Sequence, residues 1–156
     1  MLRIATTTDL PFIRDLWLRP ENAMFLAPWE DGELEEALDY DHLVIREAMG
    51  LPLGFAYLTR WVPGAYAISA MAVTAPGRGQ GAMLLTEVLD WLFDDPDAHR
   101  VALDTTVDNV RALGLFEKLG FVREGLYREC WRRPDGKWID CIPLAILRRD
   151  WLGTAE

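Results

Sequence analysis

The sequence predicts a single α+β domain built on a mixed sheet of about seven strands. Strand-like apolar segments recur along the chain, and segments with apolar residues at helical spacing lie between them. The chain has 156 residues, a common size for one domain, and no linker, repeat or low-complexity stretch interrupts positions 1–156. Apolar residues make up 51% of it, which is enough to form a hydrophobic core without disulfide bonds.

The first third of the chain predicts one short strand and two helices. Residues 2–5 have the pattern of a strand, and Asp9 then supplies a helix N-cap with Pro11 in the first turn. Apolar residues at helical spacing extend this helix to about Leu18. A second helix is predicted at about 32–40, where the early acidic residues suit the positive end of a helix dipole.

The middle of the chain is predicted to consist mainly of strands. Residues 43–47 and 54–61 flank the connection Met49-Gly50-Leu51-Pro52 and indicate a hairpin. The mostly apolar run 66–73 is typical of a strand that is covered on both faces. A strongly amphipathic helix follows and extends to about Phe93.

The last third predicts three strands and a helix. Residues 100–105 form a strand, and Asp108 or Asn109 caps a helix that stops at Gly120. The last two strands are predicted at 121–131 and 138–147.

The turn between these last two strands predicts their register. Pro134-Asp135-Gly136-Lys137 favours a tight turn, because Pro presets φ and Asp-Gly tolerates positive φ. A turn centred between residues 135 and 136 places Cys130 directly opposite Cys141. Facing thiols could oxidise, but in a reducing compartment we expect two small buried apolar side chains.

Composition and charge exclude several classes of function. The net charge of −9 argues against a nucleic-acid partner. Acidic residues concentrate between positions 21 and 41, where no Lys or Arg occurs and a cationic ligand would be attracted. The simpler explanation is a solvated helix face. The eight carboxylates are Glu21, Glu30, Asp31, Glu33, Glu35, Glu36, Asp39 and Asp41.

No segment predicts secretion, a membrane or a metal site. The apolar windows are broken by charges before about 18 residues, and the N-terminal segment lacks an apolar signal-peptide core. The two cysteines do not make a disulfide framework, and the two histidines lack metal-ligand spacing. We therefore expect a cytoplasmic protein without a membrane partner or a metal.

The most informative segment is the glycine-rich loop Arg78-Gly79-Gln80-Gly81-Ala82-Met83, which follows a buried strand and opens a helix. A helix N-terminus presents unpaired N–H groups and about half a positive charge, and glycine lets the backbone approach a ligand closely. Such a loop suits a phosphate group. The segment lacks the Gly-Lys-Ser/Thr of a P-loop and the three spaced glycines of a dinucleotide fingerprint. A plain tight turn is the alternative explanation.

A second motif lies downstream, in the segment from Thr105 to Gly125 that contains Asn109, Ala112, Phe116 and Gly120-Phe121. With both motifs in this order, the chain resembles the GNAT acetyltransferase superfamily over residues 2–151. Members carry a strand, an Arg/Gln-x-x-Gly-x-Gly/Ala loop and a helix, followed by an Asn-x-x-Ala-x-x-x-Tyr-x-x-x-Gly-Phe segment. The resemblance implies a three-layer fold with a mostly antiparallel sheet and helices on both faces.

The resemblance also implies where acetyl-CoA binds. The loop Arg78, Gly79, Gln80, Gly81, Ala82 and Met83 would hold the pyrophosphate through backbone N–H groups. The strand end Met71, Ala72 and Val73 would pair its main chain with the pantetheine arm, and the N–H of Met71 or Ala72 would polarise the thioester carbonyl. Asn109 would hydrogen-bond the same arm, although a simple N-cap would also explain an Asn there.

Two residues depart from the family pattern. Met83 stands where the family prefers Gly or Ala, so its side chain could crowd the pyrophosphate unless it fills a gap in the core. Phe116 stands in the cofactor-contacting position where many members have the Tyr that protonates the CoA thiolate, and Phe cannot donate a proton. The proton would then come from water, Tyr127 or a thiol.

The base that accepts the amine proton is predicted among acidic residues. Asp104, at the end of its strand, and Glu30, beside Trp29, are the candidates, with an ordinary surface or salt-bridged carboxylate as the alternative for each. Trp29, Trp61 and Trp131 could line an acceptor pocket, but large aromatic residues are more often part of the core.

The function implied is transfer of the acetyl group of acetyl-CoA to a primary amine by direct attack in a ternary complex. Segments 22–29, 125–128 and 135–140, together with Trp151, are similar to the subgroup that acetylates protein N-termini, including those of ribosomal proteins; a small cationic amine is the other acceptor. A non-catalytic acyl-CoA-binding domain is the alternative that Phe116 keeps open, and a structural module with a plain glycine turn is the third. Edge strands in this fold often pair between subunits, so a homodimer is a further expectation.

Overall fold

Within residues 1–40 and 42–153, which the computed structural model describes, the chain forms eight β-strands and six α-helices. The strands are β1 Leu2–Ile4, β2 Leu43–Ala48, β3 Leu51–Val62, β4 Ala65–Val73, β5 Arg100–Thr106, β6 Val122–Arg123, β7 Tyr127–Arg132 and β8 Trp138–Leu147. The helices are α1 Leu10–Trp17, α2 Pro20–Ala23, α3 Glu33–Asp39, α4 Gln80–Asp94, α5 Val110–Lys118 and α6 Arg148–Leu152. None of these helices is long and apolar enough to cross a membrane.

The strands form one mixed sheet in the order β1-β2-β3-β4-β5-β8-β6, with β7 also paired to β8. The pairing of β4 with β5 is parallel, while β1–β2, β2–β3, β5–β8, β6–β8 and β7–β8 are antiparallel. The predicted fold class, a mixed and mostly antiparallel sheet with interspersed helices, is therefore confirmed. The extra strand arises because the segment predicted as one strand at 121–131 divides into β6 and β7 around Gly125, whose φ is 148°.

The first compact unit of the chain comprises Met1–Thr59 and Ile68–Trp91. Its core gathers the apolar side of α1 against α3 and strands β2, β3 and β4. Ile13 and Leu16 are fully buried, and the Trp17 ring stacks on Phe55 with centroids 5.4 Å apart. Each such side chain contributes about 1.5–3 kcal/mol through burial, so the helical apolar spacing read in α1 is what holds it on the sheet.

The second compact unit comprises Arg60–Ala67 and residues 92–153. Strand β5 is paired on both sides here: in parallel with Ala65, Tyr66 and Ala67 of β4, and antiparallel with β8 along its whole length. Buried β5 and β8 side chains such as Val101 and Leu144 form its centre. Strand β5 therefore has a paired strand on each side at Arg100–Ala102, and its polar end, which begins at Asp104, pairs with β8.

The predicted cap of α1 has a different bonding pattern. Asp9 does occupy the N-cap position, but its carboxylate accepts no hydrogen bond from the amides of α1. It accepts instead from the Thr6 N–H at 2.8 Å and from both terminal nitrogens of Arg3 at 2.8 and 2.9 Å. The short helices α2 and α6 were not predicted, because four and five residues are too few to establish a helical period.

The predicted register of the last hairpin is wrong. Trp131 pairs with Ile139, one position away from the prediction, and a further shift puts Tyr127 opposite Cys141. Cys130 lies in the irregular segment between these two pairs and is exposed, while Cys141 is buried. The expectation of two buried thiols thus holds for Cys141 only, because the turn residues fixed neither the exact register at the tip of the hairpin nor the bulge further along it.

Candidate active site

The loop between β4 and α4 has the open backbone expected of an anion site. Gly77 and Gly79 have φ values of 81° and 77°, a left-handed conformation that favours glycine. A Cβ atom at Gly79 would meet no atom of the described residues within 4 Å, so the space in front of this residue is open. Gly81 belongs to α4 and is not among the glycines with positive φ. The requirement for glycine is therefore clearest at Gly79.

The side chain of Gln80 fixes the loop to the end of β4. Its Oε1 accepts hydrogen bonds from the Thr74 hydroxyl at 3.3 Å and the Ala75 N–H at 3.1 Å. Arg19 donates to the Thr74 carbonyl at 3.2 Å and secures the same corner. Gln80 thus holds the loop in place through its side-chain oxygen.

The first turn of α4 supplies the donors. An α-helix leaves its first N–H groups without acceptors inside the helix, and here they belong to Gln80, Gly81 and Ala82. The N–H of Met83 is different, because it donates to the Gly79 carbonyl at 3.1 Å. The N–H groups that can donate to a ligand are therefore those of residues 80–82, and the N–H of Met83 is not among them.

Arg78 and Met83 lie on the surface beside this loop. Arg78 is exposed and forms no hydrogen bond or ion pair with the described part of the chain. Met83 is 53% exposed, and its sulfur accepts from an Arg46 terminal nitrogen at 3.4 Å. Arg46 also pairs with Glu87 on α4 at 3.2 Å. The Met83 side chain consequently does not fill a gap in the core.

The end of β4 is held closely by β3. Met71 and Val73 are half-buried and Ala72 is buried. A Cβ on Gly54 of β3 would lie 2.7 Å from the Ala72 carbonyl oxygen, so only glycine fits at that position. Strand β4 continues to Val73, six residues past Ala67, which pairs with Ala102 of β5.

In the second unit, Asn109 is the N-cap of α5. Its Oδ1 accepts from the Ala112 N–H at 3.4 Å, and its Nδ2 donates to the Thr105 hydroxyl at 2.9 Å. Asn109 therefore acts as a helix N-cap, as the simpler explanation predicted. One amide hydrogen and one carbonyl lone pair of Asn109 remain for another partner.

Phe116 is buried in α5. It is 6% exposed and its ring centroid lies 5.9 Å from that of Phe121. The side chain packs as a core residue, and its chemistry supplies no proton.

Of the three predicted catalytic residues, the structure brings two to the same part of the sheet. Asp104 lies on β5 opposite Pro143, and desolvation raises its pKa although the side chain keeps a solvent-exposed surface. Tyr127 is exposed at the start of β7, opposite Cys141. Asp104 is also close enough for its charge to contribute to the raised pKa of Cys141.

Glu30, the third candidate, belongs to the first unit and is exposed. Its N–H donates to the carboxylate of Glu33, the first residue of α3, at 2.7 Å, so Glu30 lies in the segment that leads into this helix.

Tyr57, which lies close to two carboxylates of the acidic stretch, is a residue that the sequence analysis missed. Desolvation, followed by the charge of Glu33 and its hydrogen bond, raises the pKa of Tyr57 on β3, and Glu36 adds to this effect. Tyr57 also lies beside the Trp17 ring, with centroids 6.4 Å apart. The alternating pattern of β3 could have identified its outward face, but not which helix lies over it. Asp41 is outside the described residues.

The three tryptophans have different environments. Trp29 packs against the core and meets Trp17 edge-to-face at 5.4 Å, as expected of a core residue. Trp61 is 67% exposed, so the core expectation is wrong for it. Trp131 is half-buried, with the Arg133 guanidinium 5.9 Å from its ring centroid.

Comparison with known proteins agrees with this geometry. Residues 10–121 match the sequence model of the acetyltransferase (GNAT) family. The chain is 34% identical over 153 residues to aminoglycoside N(6′)-acetyltransferase type 1 of Klebsiella pneumoniae, with 80% of this chain and 74% of that protein covered. It is 32% identical over 112 residues to the N-alpha-acetyltransferase RimI of Mycobacterium tuberculosis, covering 67% and 68% of the two chains.

A solved structure is similar over nearly the whole chain. It is the crystal structure of spermidine N-acetyltransferase from Vibrio cholerae in complex with CoA and spermine, with a TM-score of 0.80, 27% identity and 97% of each chain covered. The glycine loop before α4, the Asn-capped α5 and the family match over residues 10–121 lead to one conclusion. The chain belongs to the GNAT family of acetyltransferases and is an N-acetyltransferase that uses acetyl-CoA.

Proposed function

We propose that this enzyme acetylates a small cationic amine and that the loop Arg78–Ala82 holds the pyrophosphate of acetyl-CoA. The observation that carries the binding site is the open, left-handed Gly79 in front of helix N–H groups without intrahelical acceptors. The uncommitted guanidinium of Arg78 adds a charge-assisted contact with a phosphate oxygen. Met83 lies beside the proposed site but donates no hydrogen bond to the pyrophosphate, because its N–H already donates to the Gly79 carbonyl.

The pantetheine arm is proposed to lie along the end of β4. Backbone groups of Met71, Ala72 and Val73 would pair with its amides as an added strand does, and an N–H of Met71 or Ala72 would polarise the thioester carbonyl. The remaining amide hydrogen of Asn109 would donate to the same arm. Phe116 offers that arm only an apolar contact.

The reaction is proposed as direct attack. The neutral amine nitrogen attacks the thioester carbonyl carbon, and the tetrahedral intermediate expels the CoA thiolate as the C–S bond breaks. The proton lost by the amine goes to Asp104, directly or through water, because desolvation makes this carboxylate a stronger base than an ordinary Asp. Tyr127 or water protonates the CoA thiolate, because Phe116 stands where many family members have a Tyr for this step. Glu30, whose side chain is exposed at the entrance to α3, is the weaker candidate for the base.

A cationic acceptor fits the charge of the first unit. Carboxylates on and before α3 outnumber the neighbouring cations, and Arg14 neutralises only Glu35 by direct contact. The aminoglycoside and spermine named with the relatives are polycations. A protein N-terminus remains the second acceptor class, because RimI is also a relative. The two free thiols suit a reducing compartment, so we propose a cytoplasmic location.

The test offers acetyl-CoA with matched sets of polyamines, aminoglycosides and N-terminal peptides. Acetylated product is measured by mass spectrometry and CoA by chromatography. Turnover of polycationic amines that falls with added salt supports the proposal. Preference for uncharged or peptide amines at all salt concentrations would contradict the acceptor class, and calorimetric binding of CoA without any turnover would favour the non-catalytic alternative.

A further inference from the structure

Strand β7 contains a strained bulge that presents a cysteine to solvent. Glu129 has a φ of 46°, a left-handed conformation that is uncommon for a residue with a side chain. Its N–H donates to the Asp140 Oδ1 at 2.7 Å, which holds the bulge against β8. Cys130 follows immediately and is exposed, and regular pairing resumes at Trp131.

A second thiol lies beneath this bulge. Cys141 of β8 is 3% exposed and is paired with Tyr127 on one side and Thr106 on the other. Desolvation, then a hydrogen bond with the Cys130 side chain, raises the pKa of Cys141 to about 12. Strand register places the two cysteines close together: Cys130 directly precedes Trp131, the partner of Ile139, and Cys141 lies two residues beyond Ile139 on β8.

Small molecules in solvent have access to the exposed thiol. An open cavity of about 800 Å³ is lined by Cys130 together with residues 126–129 and Asp140. Cys130 forms part of its wall, whereas Cys141 does not. A reagent that enters this cavity therefore contacts the Cys130 thiol directly, and Cys141 reacts only after Cys130 has been modified.

We propose that Cys130 and Cys141 are a thiol–disulfide modification site that reacts with low-molecular-weight disulfides. The Cys130 thiolate attacks one sulfur of the disulfide RSSR, forming a mixed disulfide and releasing RS⁻. The Cys141 thiolate then attacks the Cys130 sulfur and expels the second RS⁻, so that an internal disulfide forms. Two protein thiols are oxidised, RSSR is reduced to two thiols, and the two protein protons go to solvent or to RS⁻.

The surroundings of Cys141 make the second step slow and sensitive to pH. Below its pKa, the thiolate fraction rises about tenfold for each pH unit, so the rate of ring closure rises by the same factor. Nearby negative groups oppose ionisation, while one cation counters them. The groups facing Cys141 are Cys130 and Tyr127 on β7, Asp104 on β5, Asp140 on β8 and Arg133 in the hairpin turn.

Oxidation has a consequence for acetyl transfer that rests on the proposed function. The disulfide ties the β7 bulge to β8 next to Tyr127 and close to Asp104, the residues proposed to move protons. A shift of these groups by an ångström is enough to lower turnover, and we expect a loss of about tenfold or more.

The experiment treats the folded, full-length chain with 5,5′-dithiobis(2-nitrobenzoate), an aromatic disulfide. Wild type releases one aromatic thiolate quickly and a second slowly, the slow rate rises about tenfold per pH unit, and the product carries no adduct. Cys141→Ser releases one and keeps the adduct; Cys141→Ala serves if the Ser variant does not fold. Cys130→Ser, a change at an exposed position, reacts far more slowly than wild type.

Two results would overturn the site. One is folded wild type that stops at the mixed disulfide even at alkaline pH. The other is Cys130→Ser that reacts as fast as wild type, since this would make the buried thiol the first to be attacked.

Acetyl transfer is measured separately, on oxidised protein freed of reagent and again after reduction. A loss that reductant restores, and that Cys130→Ser does not show, supports the consequence; full turnover of completely oxidised wild type overturns it. Reduced protein without any acetyl transfer would count against the proposed function instead, because the thiol measurements do not depend on catalysis.

Discussion

Replacing Gly79 with alanine should separate backbone strain from ligand contact in the glycine loop. The residue has a φ of 77°, which costs a residue with a Cβ about 1–2 kcal/mol. Within residues 1–40 and 42–153, nothing lies within 4 Å of that Cβ, so no steric clash with these residues adds to this cost. The new methyl group would instead occupy the space proposed for the diphosphate. We expect CoA affinity to fall at least about tenfold, equivalent to about 1.4 kcal/mol.

Gly50→Ala is the matched control. Gly50 lies in the β2–β3 turn with a φ of 74° and has the same open surroundings, so it should lose the same 1–2 kcal/mol of folding stability. Urea denaturation measures the stability of both variants, and calorimetry with CoA measures binding. Gly50→Ala should bind CoA as wild type does. If Gly79→Ala binds CoA with unchanged affinity, the diphosphate does not lie against this residue and the proposed site is wrong.

Three further predictions concern the base, the acid stability and the fit of glycines. Asp104→Asn should lower kcat by about 10²-fold or more without changing CoA affinity. It should also remove the acid limb of the pH–rate profile, whose pKa in wild type should lie above the ordinary Asp value. An unchanged profile would exclude Asp104 as the base. Asp9→Asn should cost about 1–3 kcal/mol in the free energy of unfolding, because Arg3 loses one of its two carboxylate partners and keeps Glu47. Hydrogen bonding to Arg3 lowers the pKa of Asp9, so its contribution is present above about pH 4 and is lost as the pH falls through its folded value; stability in wild type should therefore decline more steeply in acid than in the variant. Gly54→Ala should destabilise the fold by about 1–3 kcal/mol, because its Cβ would lie 2.7 Å from a backbone oxygen. Gly114→Ala in α5 should stabilise the fold by about 0.5–1 kcal/mol, because a Cβ there meets no atom of the described residues within 4 Å. Equal effects in urea denaturation would contradict the packing at Gly54.

Local patterns predicted most of the elements. The apolar spacing in α1 and α4 and the cap at Asn109 placed three helices within about two residues of their observed bounds, because such signals lie within a few residues of one another. The glycine loop and the Asn109 segment also indicated the acetyltransferase family. The short helices α2 and α6 escaped prediction because they carry too little periodic pattern.

Long-range packing decided what these patterns could not. The bulge at Glu129 moved Cys130 out of register and left it exposed, and this depends on an Asp140 contact eleven residues away in sequence. The same holds for Met83 of α4, whose sulfur contacts Arg46 of β2. Asp9 departs from its predicted role over a shorter distance, because its carboxylate bonds Arg3, six residues earlier, rather than the amides of α1.

The amino-acid sequence by itself determined the family, the mixed sheet and the position of the glycine loop before α4, because the patterns that indicate them lie among residues close together in the chain. Only the tertiary structure decided which thiol is exposed, which N–H groups of the loop lack acceptors and which carboxylate is desolvated. Those properties depend on which atoms from distant segments come to lie around a side chain, and no local pattern records that.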